Sequence, residues 1–273
     1  MRIFFAGPTE MFASFWRNRS LIFQMSRREA IGRYKGSFIG LAWSFFNPLL
    51  MLAIYTFVFS VVFQSRWGEG GDQGKVAFAV ILFVGIIVHG LLAESVNRAP
   101  DLILSNPGYV KKIVFPLEIL PWVTFFSALF HASVSLVVLF IFQILCDRPI
   151  PVTAILFPIV LLPLVFFSMG FAWFLAALGV YFRDVSQITN IFTTVLMYMS
   201  AVFFPISALP REFQSWLHLN PLAVIIEQSR DVLIFGEIPD VWQWGRMFML
   251  SMLLASFGFA WFQKTRKGFA DVL

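Results

Sequence analysis

Hydrophobic residues in this chain fall into long, nearly unbroken runs rather than the short alternating patterns of a soluble fold. A membrane span needs about 20 apolar residues, because 1.5 Å per residue must cross about 30 Å of hydrocarbon. Six runs meet or approach that length: Phe38 to Phe63, Val76 to Val96, Leu117 to Cys146, Val152 to Phe182, Ile188 to Ile206, and Trp242 to Phe262. The third and fourth are long enough to tilt or to project beyond the bilayer. Pro121, Pro158 and Pro163 lie near their starts, where proline kinks a helix. The pattern predicts an all-α integral membrane protein with six transmembrane helices.

Two segments break the pattern. Before the first run, Thr9 is placed as an N-cap, and Met11, Phe12, Phe15 and Trp16 then share one face, with Arg17 and Asn18 off it. That predicts an N-terminal amphipathic interfacial helix lying in the headgroup plane. Between the fifth and sixth runs, Pro210 to His218 and Pro221 to Phe235 read as two short helices. Asn220 is an N-cap with Pro221 at the first helical position. Gly236 and Pro239 supply the stop. The second of these helices reaches only about 22 Å. Leu222, Ile225, Ile226, Ser229 and Leu233 lie on one side, and Glu227, Arg230 and Asp231 on the other. The pair is expected to form a short re-entrant helical hairpin, tolerated where protein or water covers its backbone. The expected division is an N-terminal segment at 1–37, a six-span domain at 38–263 with the hairpin at about 207–236, and a tail at 264–273.

Charge sets the orientation. The N-terminal segment carries seven Lys and Arg residues through Lys35; Arg98, Lys111 and Lys112 fall in the second loop, Arg183 in the fourth, and Lys264, Arg266 and Lys267 in the tail. These are fourteen of the twenty basic residues, which puts both termini in the cytoplasm. The net charge of +5 is explained by topology and anionic lipid, with no need of nucleic acid. Composition agrees: 59% of residues are hydrophobic and 13% charged, against about 45–50% and 25% in a soluble domain. A single cysteine, Cys146, excludes an intrachain disulfide framework and reads as a small hydrophobe at a helix end. Pro8 and Glu10 arrive too early for the apolar core of a cleavable signal.

Candidate chemistry is sparse. The string nearest to a phosphate-binding loop runs from Gly68 to Val76; its spacing is wrong by one and Val76 stands where a hydroxyl is needed, so it reads as a glycine-rich loop. His89, His131 and His218 show no metal-ligand spacing, and no catalytic constellation can be nominated. His89, Glu94, Asn97 and His131 are the polar groups within spans, where each is a functional hypothesis by default. There is neither a clear carboxylate relay nor an inverted repeat of the kind that marks many secondary transporters.

Five motifs, in order, carry a resemblance. Arg33-Tyr34-x-x-Ser37-x-x-Gly40-x-x-Trp43, with Asn47-Pro48 following, opens the first span. Lys112-x-x-Phe115-Pro116-x-Glu118-x-Leu120-Pro121 precedes the third. Gly179-x-x-x-Arg183-Asp184 follows the fourth. Asn220-Pro221, then Glu227 and Arg230, precede the last span, and Phe269-Ala270-Asp271 closes the chain. The ordered set resembles bacterial type-2 ABC (ABC-2) export permeases, in particular those for polysaccharide such as O antigen or teichoic acid.

The resemblance implies a homodimeric permease with two copies of a separate ABC ATPase, which holds the ATP and Mg; the chain itself carries no cofactor and no enzyme activity. It implies a lipid-linked polysaccharide as cargo and the cytoplasmic (inner) membrane as location. It places a substrate path along the first and fifth spans, with Trp43, Phe46, Tyr55, Phe192, Tyr198 and Phe203 as aromatic candidates. Sugar rings pack their C–H faces on such rings, although Phe in a membrane helix also serves packing and lipid contact. Arg27, Arg28, Arg33, Lys35, Lys111 and Lys112 are candidates for meeting a lipid diphosphate at the cytoplasmic mouth; the first four otherwise serve orientation alone, and Lys111 and Lys112 otherwise meet the partner ATPase. The interfacial helix either frames that mouth or merely anchors the chain. Asn220, Pro221, Glu227 and Arg230 form a candidate outer gate, and Asn106, Pro107, Gly108 and Tyr109 a candidate ATPase contact. Structural readings compete: Glu227 with Arg230, and Arg183 with Asp184, as ion pairs. The same fold exporting a drug, lipid or haem-like cargo is the near alternative, and a membrane-embedded lipid-processing enzyme the distant one.

Overall fold

The computed structural model describes residues 7–58, 71–111, 115–204, 206 and 210–272, with 71–77, 211, 213 and 215 described by backbone alone. All regular structure among them is helical. Helix α1 (Pro8–Gly32) starts with Pro8 in its first turn and Glu10 beside the positive helix end. Its buried residues, Met11, Ser14, Ile22, Ser26 and Ala30, recur at helical spacing and face one side. A tight turn at Gly40–Ala42 leads into α2 (Trp43–Thr56), then come α3 (Gly71–Arg98) and the short α4 (Pro107–Lys111). Residues 71–76, expected within a glycine-rich loop, form the first turns of α3.

Helix α5 (Leu120–Leu145) follows a tight turn at Leu117–Ile119. Another turn at Val152–Leu156, α6 (Phe157–Val160) and α7 (Leu162–Tyr181) form one broken rod. Pro158 and Pro163 each sit in the first turn of a piece, so proline here restarts a helix instead of bending one. Helices α8 (Val185–Met199), α9 (Arg211–Leu217) and α10 (Pro221–Arg230) come next. A wide turn at Asp231–Phe235 extends α10 and ends at Gly236, whose φ of 74° gives the expected stop. Helix α11 (Val241–Thr265), a turn at Arg266–Gly268 and α12 (Phe269–Val272) complete the chain.

Four helical stretches are long and apolar enough to cross a membrane: Phe78–Arg98, Leu117–Leu145, Val152–Tyr181 and Val241–Val272. The other two expected spans are shorter. The first is described as the helical stretch Gly40–Thr56, with residues 59–63 of the expected span outside the described residues. The fifth is α8, whose 15 residues amount to about 22 Å.

Side-chain contacts define two ends of the bundle. At the tail end, Ser14 of α1, Glu118 before α5 and Arg266 after α11 meet, so the first half of α1 lies beside the end of α11. At the hairpin end, Gln143 and Thr153 donate to the carbonyls of Leu233 and Val232, and Trp244 of α11 donates to Ile159 O. Helices α7 and α11 therefore run parallel, and they pack along their length. Small residues permit it. A Cβ on Gly258 would lie 2.1 Å from the Gly170 carbonyl oxygen, and one on Gly170 would lie 2.8 Å from the Leu254 carbonyl. Backbone-to-backbone crossing of this kind is how apolar helices associate where lipid removes the hydrophobic drive. Helix α3 packs on α5 and α10, and its flanks carry α2 and α8.

Candidate functional site

Helix α8 has two unlike sides. Val185, Thr189 and Thr193 are buried. Thr193 Oγ1 donates to Asn97 Oδ1 at 3.0 Å, and His89 Nε2 lies 2.9 Å from Thr193 O, which ties α8 to α3. The opposite side is exposed and mixed. Gln187, Asn190, Thr194 and Tyr198 form a polar stripe at helical spacing, beside Ile188, Ile191, Phe192, Val195 and Met199. Asn190 and Thr194 donate to carbonyls of their own helix, at 2.9 and 2.8 Å, and so soften the cost of apolar surroundings without abolishing it. Helix α2 is similar in kind: Trp43, Phe46, Leu49, Leu50, Met51, Ile54 and Phe57 are exposed, with Asn47 among them.

Five of the expected path residues belong to these two helices, and Phe203 lies beyond the end of α8. Trp43, Phe46, Phe192 and Tyr198 are exposed, whereas Tyr55 and Phe203 are half-buried. The rings of Tyr198 and Phe203 lie 5.4 Å apart, and Phe192 leans on Phe171 at 5.5 Å. Both helices flank α3, and each exposed face presents aromatic rings beside amide groups.

At the tail end the expected basic cluster divides. Arg33 pairs with Glu94, which also lies 3.5 Å from Arg98, and Arg98 pairs with Glu29. Arg33 is thus held inside a charge-balanced set. Tyr34 reaches across to α5, its hydroxyl 3.2 Å from His131 Nδ1. Burial raises the pKa of the Tyr34 hydroxyl, Arg33 opposing it, so this group stays protonated at neutral pH. Around these residues a cavity of about 240 Å³ opens between α2, α3 and α5, lined also by Ser44, Asn47 and Ser135. Arg28 donates to the Tyr109 hydroxyl at 3.2 Å. Arg27, Lys35 and Lys111 are exposed, and Lys112 lies outside the described residues.

The proposed ATPase-contact segment is built as a small platform. Asn106 donates to Leu102 O at 2.9 Å, and its own carbonyl accepts from Tyr109 N, which starts α4. Pro107 and Gly108 are exposed at the tip. Tyr109 stacks flat on Phe115 at 4.2 Å. Phe115 O accepts from Arg266 at 2.8 Å, and Arg266 pairs with Glu118 at 2.5 Å. Glu118, 6% exposed, also accepts from Ser14, and its backbone carbonyl accepts from Trp173 Nε1 at 3.0 Å. The Glu118 carboxylate therefore joins α1 to the end of α11, its backbone carbonyl holds α7, and Arg266 links the pair to the platform. Phe269 of the closing motif is buried against Phe262 and Tyr181.

At the hairpin end, Asn220 Oδ1 accepts from Leu222 N at 3.0 Å, the expected cap with Pro221 behind it. Its amide also donates to Met199 O and Ser200 Oγ, which fastens α10 to the end of α8. Glu227 accepts from Ile206 N at 3.1 Å. Arg230, 1% exposed, donates to the carbonyls of Ile81, Ala201 and Val202 at 3.1, 2.8 and 2.7 Å. Gly85 makes the room, since a Cβ there would come within 2.9 Å of the guanidinium. Arg230 thus bonds across to α3 and to the bend after α8, where Ala201 takes a φ of 57°. Burial lowers the Arg230 pKa to about 10, which leaves it charged at neutral pH. Arg183 and Asp184, read as an ion pair, are both exposed and form no pair with each other.

Sequence reasoning missed the partners more than the motif residues. Glu29, Arg98 and Arg266 counted there only as orientation charges or not at all. Their signal is their spacing across distant segments, which a single sequence does not display.

A family model described as ABC-2 type transporter matches residues 20–234. The O-antigen export system permease protein RfbA of Myxococcus xanthus is 26% identical over 258 residues, covering 94% of this chain and 96% of that protein. The polysialic acid transport protein KpsM of Escherichia coli is 21% identical, covering 88% and 90%. The capsule polysaccharide export inner-membrane protein CtrC of Neisseria meningitidis serogroup B is 24% identical, covering 93% and 96%.

Proposed function

The chain belongs to the ABC-2 type transporter family, and from that premise we propose that it is the membrane subunit of an ATP-driven exporter of lipid-linked polysaccharide. The observation that carries the cargo class is the outward face of α8, where Gln187, Asn190, Thr194 and Tyr198 run beside Phe192. Such a face is costly against lipid and suits a hydrated sugar polymer that slides over rings and amides. Relatives named for O-antigen and capsule export, similar along nearly their whole length, support the same reading.

In this reading six helices cross the cytoplasmic membrane, with α1 in the interface and the tail end in the cytoplasm. The charge bias of the sequence supports that orientation. Two copies form the path, each contributing α2 and α8. Two copies of a separate ATPase, holding ATP and Mg, dock at Asn106 to Tyr109. Nucleotide binding shifts populations between states because it binds them unequally. The stack of Tyr109 on Phe115 and the Glu118–Arg266 pair then carry that shift from the platform to α1 and α11. Asn220, Pro221, Glu227 and Arg230 position the re-entrant hairpin as an outer gate.

Deletion of the gene in its host tests the cargo. Surface polysaccharide should be lost while lipid-linked glycan accumulates inside, and a plasmid copy should restore both. Unchanged surface glycan in a host with no second exporter would overturn the cargo and leave the family intact.

A further inference from the structure

We propose that the groove between α1 and α5 is a binding site for one anionic glycerophospholipid of the surrounding membrane. The inference rests on the membrane placement given above and is independent of the cargo. The groove encloses about 550 Å³, and its walls are Phe15, Ile22, Phe23, Ile31, Phe126 and Phe130, with Leu41 at one end. The polar groups on it are Arg19, Arg27 and Ser26, and the Ser26 hydroxyl is already satisfied by Ile22 O at 2.8 Å. The interior therefore offers nothing to a polar ligand and a great deal to acyl chains.

The two arginines supply the charge. They stand eight residues apart on the same helix, about 12 Å along its axis. Arg27 is exposed and makes no hydrogen bond or ion pair among the described residues, unlike its neighbours Arg28 and Arg33. Arg19 is steadied by Trp16, whose ring lies 4.8 Å from its guanidinium carbon and whose carbonyl accepts from it at 2.9 Å. Trp16 is itself 67% exposed, and exposed tryptophan favours the headgroup level of a bilayer. An apolar slot with guanidinium groups on its rim, at that depth, matches phosphate above and hydrocarbon below. Basic pockets between helices on the cytoplasmic side bind anionic headgroups for this reason. Arg27 is on this reading a phospholipid ligand, not part of the mouth for cargo.

The test uses the full chain purified from its membrane. Wild type is exchanged into nanodiscs of phosphatidylcholine with a minor fraction of phosphatidylglycerol, re-extracted, and weighed by native mass spectrometry. It should keep one phosphatidylglycerol per chain. The Arg19→Gln/Arg27→Gln variant should keep about 25-fold less, since each basic group near an anionic surface contributes about a factor of five. Lys264→Gln/Lys267→Gln removes the same charge from the exposed tail and should retain lipid as wild type does. Equal retention by the groove variant, or equal retention of phosphatidylcholine, would overturn the site. Displacement of phosphatidylglycerol by a polyprenyl diphosphate would overturn the occupant and return Arg27 to the cargo path. None of these readouts involves export, so failure here and failure of the export reading are separable.

Discussion

Helices α7 and α11 are apolar helices that close on each other, whereas α2 and α8 each pack one side against their own chain and leave the other side open. The first pair achieves closure with small residues: Gly170 and Gly258 bring backbone against backbone, and Trp173 packs on Phe259 above them. The second pair keeps bulky and polar side chains outward. Helices α7 and α11 lie in stretches apolar enough to cross a membrane and α2 is a shorter apolar helix, whereas α8 is neither, but hydropathy alone does not say which face of any of them stays open. What separates them is whether an unsatisfied face remains after the chain has folded. A face that carries amides and hydroxyls, and that its own chain leaves open, has to meet water, cargo or a second copy.

The sharpest way to break this contrast is to force the closed pair apart. Gly258→Leu puts a side chain where 2.1 Å separates a Cβ from a backbone oxygen, and no rotamer relieves that. Overpacking should cost more than about 3 kcal/mol, and most of the protein should be lost from the monodisperse peak after detergent extraction. A normal yield would mean that the crossing is looser than described. Next in size is the clasp at the tail end. Glu118→Ala takes the paired carboxylate from Arg266 in a largely buried site, where Arg266 still donates to Phe115 O; this should destabilise by about 3 kcal/mol and lower the thermal midpoint in detergent. An unchanged midpoint would reduce the clasp to a bystander. The smallest effect on stability and the most telling one on function belong to α8. Phe192→Ala, Tyr198→Ala and Asn190→Leu should each change stability by no more than about 0.5 kcal/mol yet slow export several-fold. Asn190→Leu is the discriminating member, because a lipid-facing helix would welcome it and export would be unaffected.

Much of this layout was legible in the chain. Apolar runs located the four long helices within a few residues, and Asn220-Pro221 and Gly236 marked both ends of α10 and its extension. These signals are local: run length, a cap, a proline, a glycine with positive φ. The sequence also singled out Arg33, Glu118 and Arg230 through their motifs, but it supplied their neighbourhoods poorly. Arg33 was read either as meeting phosphate or as an orientation charge, and neither reading named Glu94, with which it pairs. Arg230 was read against Glu227, three residues away, and reaches Ile81, 149 residues away. The break at Leu161 was expected as a kink, since the rule for proline inside a helix does not say whether a helix bends or starts again.

The sequence by itself determined that this is a multi-pass membrane protein and where its principal helices lie. Those properties follow from composition and spacing along the chain, because transfer into lipid is summed residue by residue. Only the tertiary structure decided which charges are spent on each other, which glycines bring backbones together and which helical faces stay open. Those properties depend on what stands opposite a side chain, and opposition in space is set by packing between segments far apart in sequence.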